Sequence, residues 1–323
     1  MADNKKLAKA KKAASTPEEQ REKRLMVLTP IVSVLLALIV GAIVIACLGK
    51  SPIQGYAAML QGSLGDAGKI GKTLERACPL IFTGLAAVFA YKCGVFNLGG
   101  EGQFIMGGCA TATVALIPGI MKITRGLNEM ITSIMLNYIA MYFMEYIFKN
   151  VFSDQGLPKT LAMPKSTHLM DVGSAHVGVI LAIVLGVFLW YVIFRTSFGF
   201  KIRAVGMSPT ASKVNGFPVR ALVLLAFVIS GAIAGMGGAV ELLGKTPFRL
   251  ADGFGSGFGF DGVAIALIAQ LNPIAAIFVA IVDIVRGLII IFAVAGMAMV
   301  KLPKVKAFFA NLGSKNKKAE VNA

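Results

Sequence analysis

The chain is poor in the residues that most catalytic and metal centres require. Its 323 residues include 4 cysteines, 2 histidines and 16 acidic residues. The cysteines form no C-x-x-C pair, and with His168 and His176 as the histidines we expect no zinc or redox centre and no cofactor. The cysteines are Cys47, Cys78, Cys93 and Cys109.

Signatures of enzymes are also missing. No Ser/His/Asp set, H-E-x-x-H motif or pair of carboxylates stands near an apolar run, which weighs against an intramembrane hydrolase or lipid-modifying enzyme. The stretch "GDAGKIGKT" approaches a phosphate-binding loop, but Asp66 occupies the place of the first required glycine. We therefore expect the chain to bind no nucleotide of its own and to catalyse no reaction.

Charge is scarce and apolar sequence is abundant. Hydrophobic residues make up 56% of the chain, charged residues 15%, and the mean hydropathy is +0.76. This composition predicts an all-α, polytopic membrane helix bundle in one domain, with about seven or eight membrane segments, some short or re-entrant. The long apolar runs are 25–48, 131–148, 177–194, 221–243 and 274–295, and the short ones are 79–91 and 104–120.

The positive charge is concentrated at the two ends. Residues 1–24 carry eight Lys or Arg, and residues 301–323 carry six Lys. Both tails adjoin apolar runs, so the positive-inside rule places both termini in the cytoplasm of a multi-pass plasma-membrane protein. We expect the tails to contact acidic lipid and not nucleic acid, and the transmembrane domain to extend over 25–300, beginning with an uncleaved helix.

Polar side chains interrupt the apolar runs at membrane depth, where they usually face a bundle interior or a watery path. "GVFNLGGEGQFIMGG" is the densest example, because its glycines permit a helix break and its polar residues can either cap that break or line a cavity. Asn272 and Pro273 give a further broken-helix pattern, and Asp283 with Arg286 forms an expected ion pair. The polar clusters are Asn97, Glu101 and Gln103; Asn128, Glu129 and Asn137; and Asp261.

The segment 195–220 has five basic residues and no acidic one, which predicts a cytoplasmic location. Ser208 as N-cap and Pro209 at the first helical position predict a helix of about two turns. Such a helix can couple the bundle to another protein, or the segment can be an ordinary solvated loop. In the next apolar run Gly231, Gly235 and Gly238 predict close helix packing.

Four stretches resemble the permease subunits of ABC importers, in the branch that handles nucleosides and simple sugars. They are "GVFNLGGEGQFIMGG", "LNEMITSIMLNYIA", "RTSFGFKIRAVGMSPTASKVNGF" and "FGFDGVAIALIAQLNP". The resemblance implies two permease subunits, two cytoplasmic ATP-binding subunits that hydrolyse ATP, and an extracellular substrate-binding lipoprotein. It also implies a substrate path and an ATPase-coupling segment within 203–216. The expected path residues are Asn97, Glu101, Gln103, Asn137 and Asp261, and the expected coupling residues are Arg203, Gly206, Pro209, Ala211 and Gly216.

The chain departs from the family pattern in two places. Relative to that pattern, sequence is missing after 104–118 and again after 274–280, so one of 79–91, 104–120 and 263–271 is expected to be re-entrant. Three readings therefore stay open: a nucleoside permease, a simple-sugar or branched-chain amino acid permease, and a shortened auxiliary subunit that does not transport.

Overall fold

The computed structural model describes residues 51–154, 157–251 and 253–281, with isolated positions 35, 38, 39, 42 and 46. The predictions for both tails, for the Asp283–Arg286 pair and for most of run 25–48 lie outside these residues. The chain divides into two units, Met1–Ala58 with Ile284–Ala323, and Met59–Asp283. In the first unit the Tyr56 hydroxyl donates to the Leu38 carbonyl over 2.6 Å.

The described part is built of helices, as the composition predicts. Two antiparallel ribbons of very short strands lie between the helices, one formed by 153–154 with 157–160 and the other by 171–172 with 175–176. The helices are α1 Pro52–Leu64, α2 Ala67–Lys92, α3 Gly100–Arg125, α4 Glu129–Asn150, α5 Gly178–Arg195, α6 Ser197–Met207, α7 Pro209–Val214, α8 Val219–Gly244, α9 Phe258–Ile268 and α10 Pro273–Ile281. The strands are β1 Ser153–Asp154, β2 Leu157–Thr160, β3 Asp171–Val172 and β4 Ala175–His176.

Four of these helices, α2, α4, α5 and α8, are long and apolar enough to cross a membrane. The bent pair α9 and α10 makes a fifth candidate. The polytopic helix bundle is thus confirmed. Two predicted apolar runs extend beyond the described residues, so four or five spans is the count for the described part alone.

Helix α2 forms the centre of the bundle. Asp66 is its N-cap, and the Asp66 carboxylate accepts a hydrogen bond from Lys69 N over 2.8 Å. The residue that breaks the phosphate-loop pattern therefore starts a helix. At about 1.5 Å per residue, the 26 residues of α2 exceed the hydrocarbon thickness. Segment 79–91 therefore lies within a helix long enough to span the membrane, which favours spanning over the re-entrant alternative.

Helix α3 belongs to a hairpin that runs up and down along α8. Asn97, just before α3, contacts Ser230 in the middle of α8, and Phe104 lies against Gly238 near the C-terminal end of α8. Gly119 then lies against Leu224 and Phe227, near the N-terminal end of α8. The direction reverses around Gly107, whose φ of 47° suits glycine.

Both ends of this hairpin lie at one end of the bundle, which we call the Lys92 end. Gly94 contacts Gly206 there, and the Lys122 ammonium pairs with the Glu129 carboxylate. A segment that enters and leaves on the same side fits the re-entrant alternative for 104–120.

The bend between α9 and α10 realises the predicted helix break. Gln270 and Leu271 have positive φ of 51° and 58°, the two helix axes differ by 120°, and Asn272 caps α10 by accepting from Ile274 N over 3.0 Å. Segment 263–271 therefore ends at a turn, as expected for a broken or re-entrant span.

Candidate functional site

Asn97 and Gln103 form a reciprocal amide pair in the middle of the bundle. Asn97 Nδ2 donates to Gln103 Oε1 over 2.9 Å, and Gln103 Nε2 donates back to Asn97 Oδ1 over 3.1 Å. Asn97 Nδ2 also donates to Ser230 Oγ over 2.9 Å, and Ser230 donates to the Ala86 carbonyl over 2.8 Å. Asn97 is 2% and Gln103 1% exposed. The pair joins α2, α3 and α8, and its amide groups are occupied within the protein.

Asn137 has a similar structural role at the start of α3. Its Oδ1 accepts from Gly102 N over 2.9 Å, and its Nδ2 donates to the Leu98 carbonyl over 2.7 Å. These bonds satisfy backbone groups freed by the turn before α3, and they tie α4 to it. Of the two readings of these amides, the geometry therefore favours capping of the break over contact with a substrate.

Glu101 and Asp261 come together around Gly257. Gly257 N donates to Glu101 Oε1 over 3.0 Å, and Asp261 N donates to the Gly257 carbonyl over 2.9 Å. Within the described part of the chain, buried Glu101 Oε2 has no hydrogen-bond partner. Gly257 has φ 87°, and Gly259 packs directly on the Glu101 backbone. Among the predicted path residues, these two half-buried carboxylates alone are not enclosed by the amide network.

The remaining polar pair, Asn128 and Glu129, holds the start of α4. Asn128 caps the helix by accepting from Met130 N over 2.9 Å, and Glu129 pairs with Lys122. Neither geometry requires a ligand.

Glycines allow α8 to touch its neighbours through backbone atoms. A Cβ on Gly238 would stand 1.9 Å from the Phe104 carbonyl oxygen, and one on Gly237 would stand 2.6 Å from Phe82 Cβ. Gly231 and Gly235 are also buried. The close approach explains why small residues are needed on this face.

Segment 195–220 folds into two short helices, α6 and α7. Ser208 Oγ accepts from Ala211 N over 3.2 Å and Pro209 occupies the first turn, so the predicted start of α7 is confirmed. The sequence did not indicate α6, whose N-cap Thr196 accepts from Gly199 N over 3.1 Å.

The five predicted coupling residues divide between two sides of this pair of helices. Arg203 faces the bundle, with its guanidinium 5.3 Å from the Phe194 ring. Gly206 also faces inward, since a Cβ there would stand 2.3 Å from the Lys92 carbonyl oxygen. The outward side carries the exposed Pro209, Ala211 and Gly216.

Two apolar side chains that the sequence reading missed lie on the outward side. Met207 is 88% and Val214 84% exposed. Their position on either side of the Ser208–Pro209 helix start, in an otherwise basic segment, was the available signal. Exposed apolar groups surrounded by basic residues are suited to a protein contact.

At the opposite end, which we call the His176 end, a cavity of about 270 Å³ opens between α3, α4 and the segment before α9. Its lining includes Met141, Glu145, Phe254 and Ser256. Behind it, the Phe104 ring stacks on the Phe254 ring, with centroids 5.9 Å apart. No local pattern could have revealed this cavity, because the segment before α9 is more than 100 residues away in sequence from the walls on α3 and α4.

A bundle of membrane-length helices with one bent pair, a buried network of amides and two short basic helices at one end is compatible with a transport permease. The comparisons specify the class. Residues 107–302 match the family described as "Branched-chain amino acid transport system / permease component". The chain belongs to this family of ABC transporter permeases.

Curated relatives resemble the chain over most of its length. The guanosine ABC transporter permease protein NupP of Bacillus subtilis is 32% identical, over 84% of this chain and 94% of its own. The nucleoside ABC transporter permease protein NupB of Lactococcus lactis is 31% identical, over 90% and 97%. The glucose ABC transporter permease protein TsgB13 of Haloferax volcanii is 27% identical, over 82% and 86%. No solved structure matches the chain.

The alignment with NupP also contains long gaps. It extends over 328 positions but takes in 84% of this 323-residue chain, about 271 residues, so about 57 positions of NupP have no counterpart here. The total does not locate the unmatched positions, so the two shortened places inferred from the sequence stay predictions.

Proposed function

We propose that the chain is a permease subunit of an ATP-driven importer of nucleosides. The observation that carries the proposal is its similarity, over most of the length of both chains, to permeases named for guanosine and for nucleosides. Membership of an ABC permease family implies a complex with ATP-binding and substrate-binding partners. Hydrolysis of ATP in separate cytoplasmic subunits, a second permease subunit and an external binding lipoprotein are the specific partners that we propose.

The Lys92 end is proposed to face the cytoplasm and to carry the ATPase contact. Supporting this orientation, segment 195–220, which projects from this end, carries five basic residues and no acidic one. The positive-inside rule assigns such a short basic loop to the cytoplasmic side. The same rule places both termini in the cytoplasm. The outward side of α6 and α7 then meets the ATPase.

The proposed contact is tested by Val214→Asp. Burying a charge in an apolar interface is costly, so we expect at least about tenfold weaker co-purification of the ATPase subunit, with the permease still folded because Val214 is 84% exposed. Met170→Asp, at the other end and 78% exposed, is the matched control. If both variants co-purify the same amount of ATPase subunit, α7 is not part of the ATPase contact.

Transport itself is tested by uptake of labelled guanosine and uridine in cells that lack their own nucleoside transporters and express the chain with its cognate partners. We expect ATP-dependent uptake that excess nucleoside blocks and excess ribose or leucine does not. Competition by a simple sugar alone would move the substrate class towards that of TsgB13, and competition by leucine alone would move it towards branched-chain amino acids.

A second candidate function is an auxiliary subunit that pairs with a complete permease and does not itself transport. The gaps in the alignment with NupP favour this candidate. It predicts a complex that assembles normally with its ATPase but imports none of the candidate substrates unless a complete permease is supplied.

A further inference from the structure

Helix α4 is the membrane-length helix that the described protein covers least. In its apolar window, Glu129–Ile147, 17% of the residues are buried, compared with 78% for α2. The buried side carries Ser133 and Ala140, and the opposite side is open. The composition of that open side decides what it faces.

The open side carries a row of tyrosines. Tyr138, Tyr142 and Tyr146 are 54%, 62% and 64% exposed. Four-residue steps in an α-helix advance by about 40° each, so the three phenol rings lie in one ladder along the helix. Glu145 falls within the same arc of about 100°. We call these four residues the tyrosine ladder.

Of the three tyrosines, Tyr138 lies well inside the ends of α4, whereas Tyr142 and Tyr146 lie close to the end that Glu145 marks. The ion pairs Lys122–Glu129 and Lys149–Glu145 mark the two ends of α4. Tyr138 is nine residues from Glu129 and seven from Glu145, about 13 Å and 10 Å along the axis. Tyrosine favours the membrane–water interface, and a hydroxyl exposed to lipid at mid-depth is unfavourable. A phenol at the depth of Tyr138 is therefore better suited to a wet path than to bare lipid.

The ladder is continuous with the cavity at the His176 end. Met141, Met144 and Glu145 of α4 line one wall, and Phe254 with Ser256 lines the other. Glu145 belongs both to the ladder and to the wall of this space of about 270 Å³, a volume close to the lower limit of small-molecule sites. This space supplies an aromatic ring, a hydroxyl and a carboxylate.

We propose that the tyrosine ladder is the surface on which the permease binds nucleosides during passage, in place of the amide network of Asn97, Gln103 and Asn137. This inference rests on the proposed function and assigns its site. Phenol rings stack on the flat faces of any base, and their hydroxyls with the Glu145 carboxylate meet the donors and acceptors of base and ribose. Three similar rings in a row provide several weak sites, which suits movement better than one tight site.

The experiment uses the whole complex in cells and measures the KM and maximal rate of guanosine uptake. Tyr142→Leu removes both the ring and the hydroxyl, and because base stacking on one ring contributes about 1–3 kcal/mol we expect KM to rise about tenfold. Tyr142→Trp keeps an aromatic face and should restore most of the affinity. Tyr191→Leu, on α5 and 56% exposed, is the matched control with an unchanged KM.

If Tyr142→Leu lowers the amount of complex in the membrane, cysteine labelling at the same position tests the ladder instead. Tyr142→Cys should react with a water-soluble maleimide, because that position faces a wet path, and guanosine should slow the reaction at least about fivefold. Phe143→Cys, adjacent in sequence, 51% exposed and on another side of α4, should stay unlabelled. Reaction of the unsubstituted chain is subtracted.

The outcomes separate the two claims. Wild-type uptake with unchanged KM in Tyr142→Leu, or with no protection of Tyr142→Cys by guanosine, overturns the ladder and leaves nucleoside transport in place. Failure of the wild-type complex to import any nucleoside overturns the proposed function and the ladder together. Raised KM with guanosine protection supports both.

Discussion

Replacing Asn97 by leucine tests whether the buried amides are structural. The two side chains are similar in size, so the change removes polar atoms without leaving a large cavity. It leaves both ends of the Gln103 amide, the Gly99 N–H and the Ser230 hydroxyl without their Asn97 partner.

The expected magnitude follows from these lost bonds. Hydrogen bonds between membrane helices average about 0.6 kcal/mol, with a maximum near 1.7 kcal/mol, whereas a buried group left unsatisfied costs about 1–3 kcal/mol. Asn97 and Gln103 are 2% and 1% exposed, so water does not readily replace the lost partner. We expect a loss of about 2–5 kcal/mol, which at about 2–4 °C per kcal/mol lowers the thermal midpoint by roughly 4–20 °C.

The assay is thermal unfolding of the detergent-solubilised complex, read by size-exclusion chromatography of a fluorescent fusion. A double-mutant cycle adds Gln103→Met, and the double variant should be more stable than the sum of the single losses predicts, because no amide is then left unpaired. An Asn97→Leu variant with an unchanged midpoint and a raised KM for uptake would refute this reasoning and return Asn97 to the substrate path.

Two further predictions concern packing and pH. Gly238→Ala would force a Cβ to within 1.9 Å of the Phe104 carbonyl oxygen and should lower the free energy of unfolding by about 1–3 kcal/mol. The control is Gly62→Ala in α1, where a Cβ would meet nothing within 4 Å, and it should be neutral or stabilise by up to about 1 kcal/mol. Equal thermal midpoints for the two variants would contradict the packing role of Gly238. Burial lowers the pKa of His176 below its ordinary 6.5, against an opposing effect of Glu75 and Glu241. The unfolded chain therefore binds more protons just below pH 6.5, so stability should fall as the pH drops through that range. His176→Leu should reduce the difference in thermal midpoint between pH 7.5 and pH 5.5, and an undiminished difference would exclude His176 as its source.

Features that depend on a few neighbouring residues could be predicted from the sequence. Ser208 with Pro209 starts α7, and Asn272 with Pro273 starts α10, because caps use side chains two or three residues away. Asp66 caps α2 in the same way, but its place in a stretch that resembles a phosphate-binding loop obscures this helix-start signal.

Features that depend on distant residues could not be predicted in this way. The sequence predicts Gly206 as a residue of the ATPase contact. Its φ is not unusual, so only its close approach to the Lys92 carbonyl oxygen shows that it faces the bundle. The tyrosines of α4 indicate that one of its sides is not buried, but which side stays open depends on the packing of α3 and α8. The roles of Glu101 and Asp261 stay predictions.

The contact of Gly206 with the turn after α2 has a mechanical consequence. A Cβ on Gly94 would stand 3.0 Å from Gly206 Cα, so the turn after α2 and helix α6 meet backbone to backbone. A side chain between them could rotate and absorb motion, whereas peptide groups are stiff. Three residues after Gly94, Asn97 is anchored to Ser230. We therefore expect a displacement of α6 to move the turn at Gly94 and, through Asn97, the centre of α8.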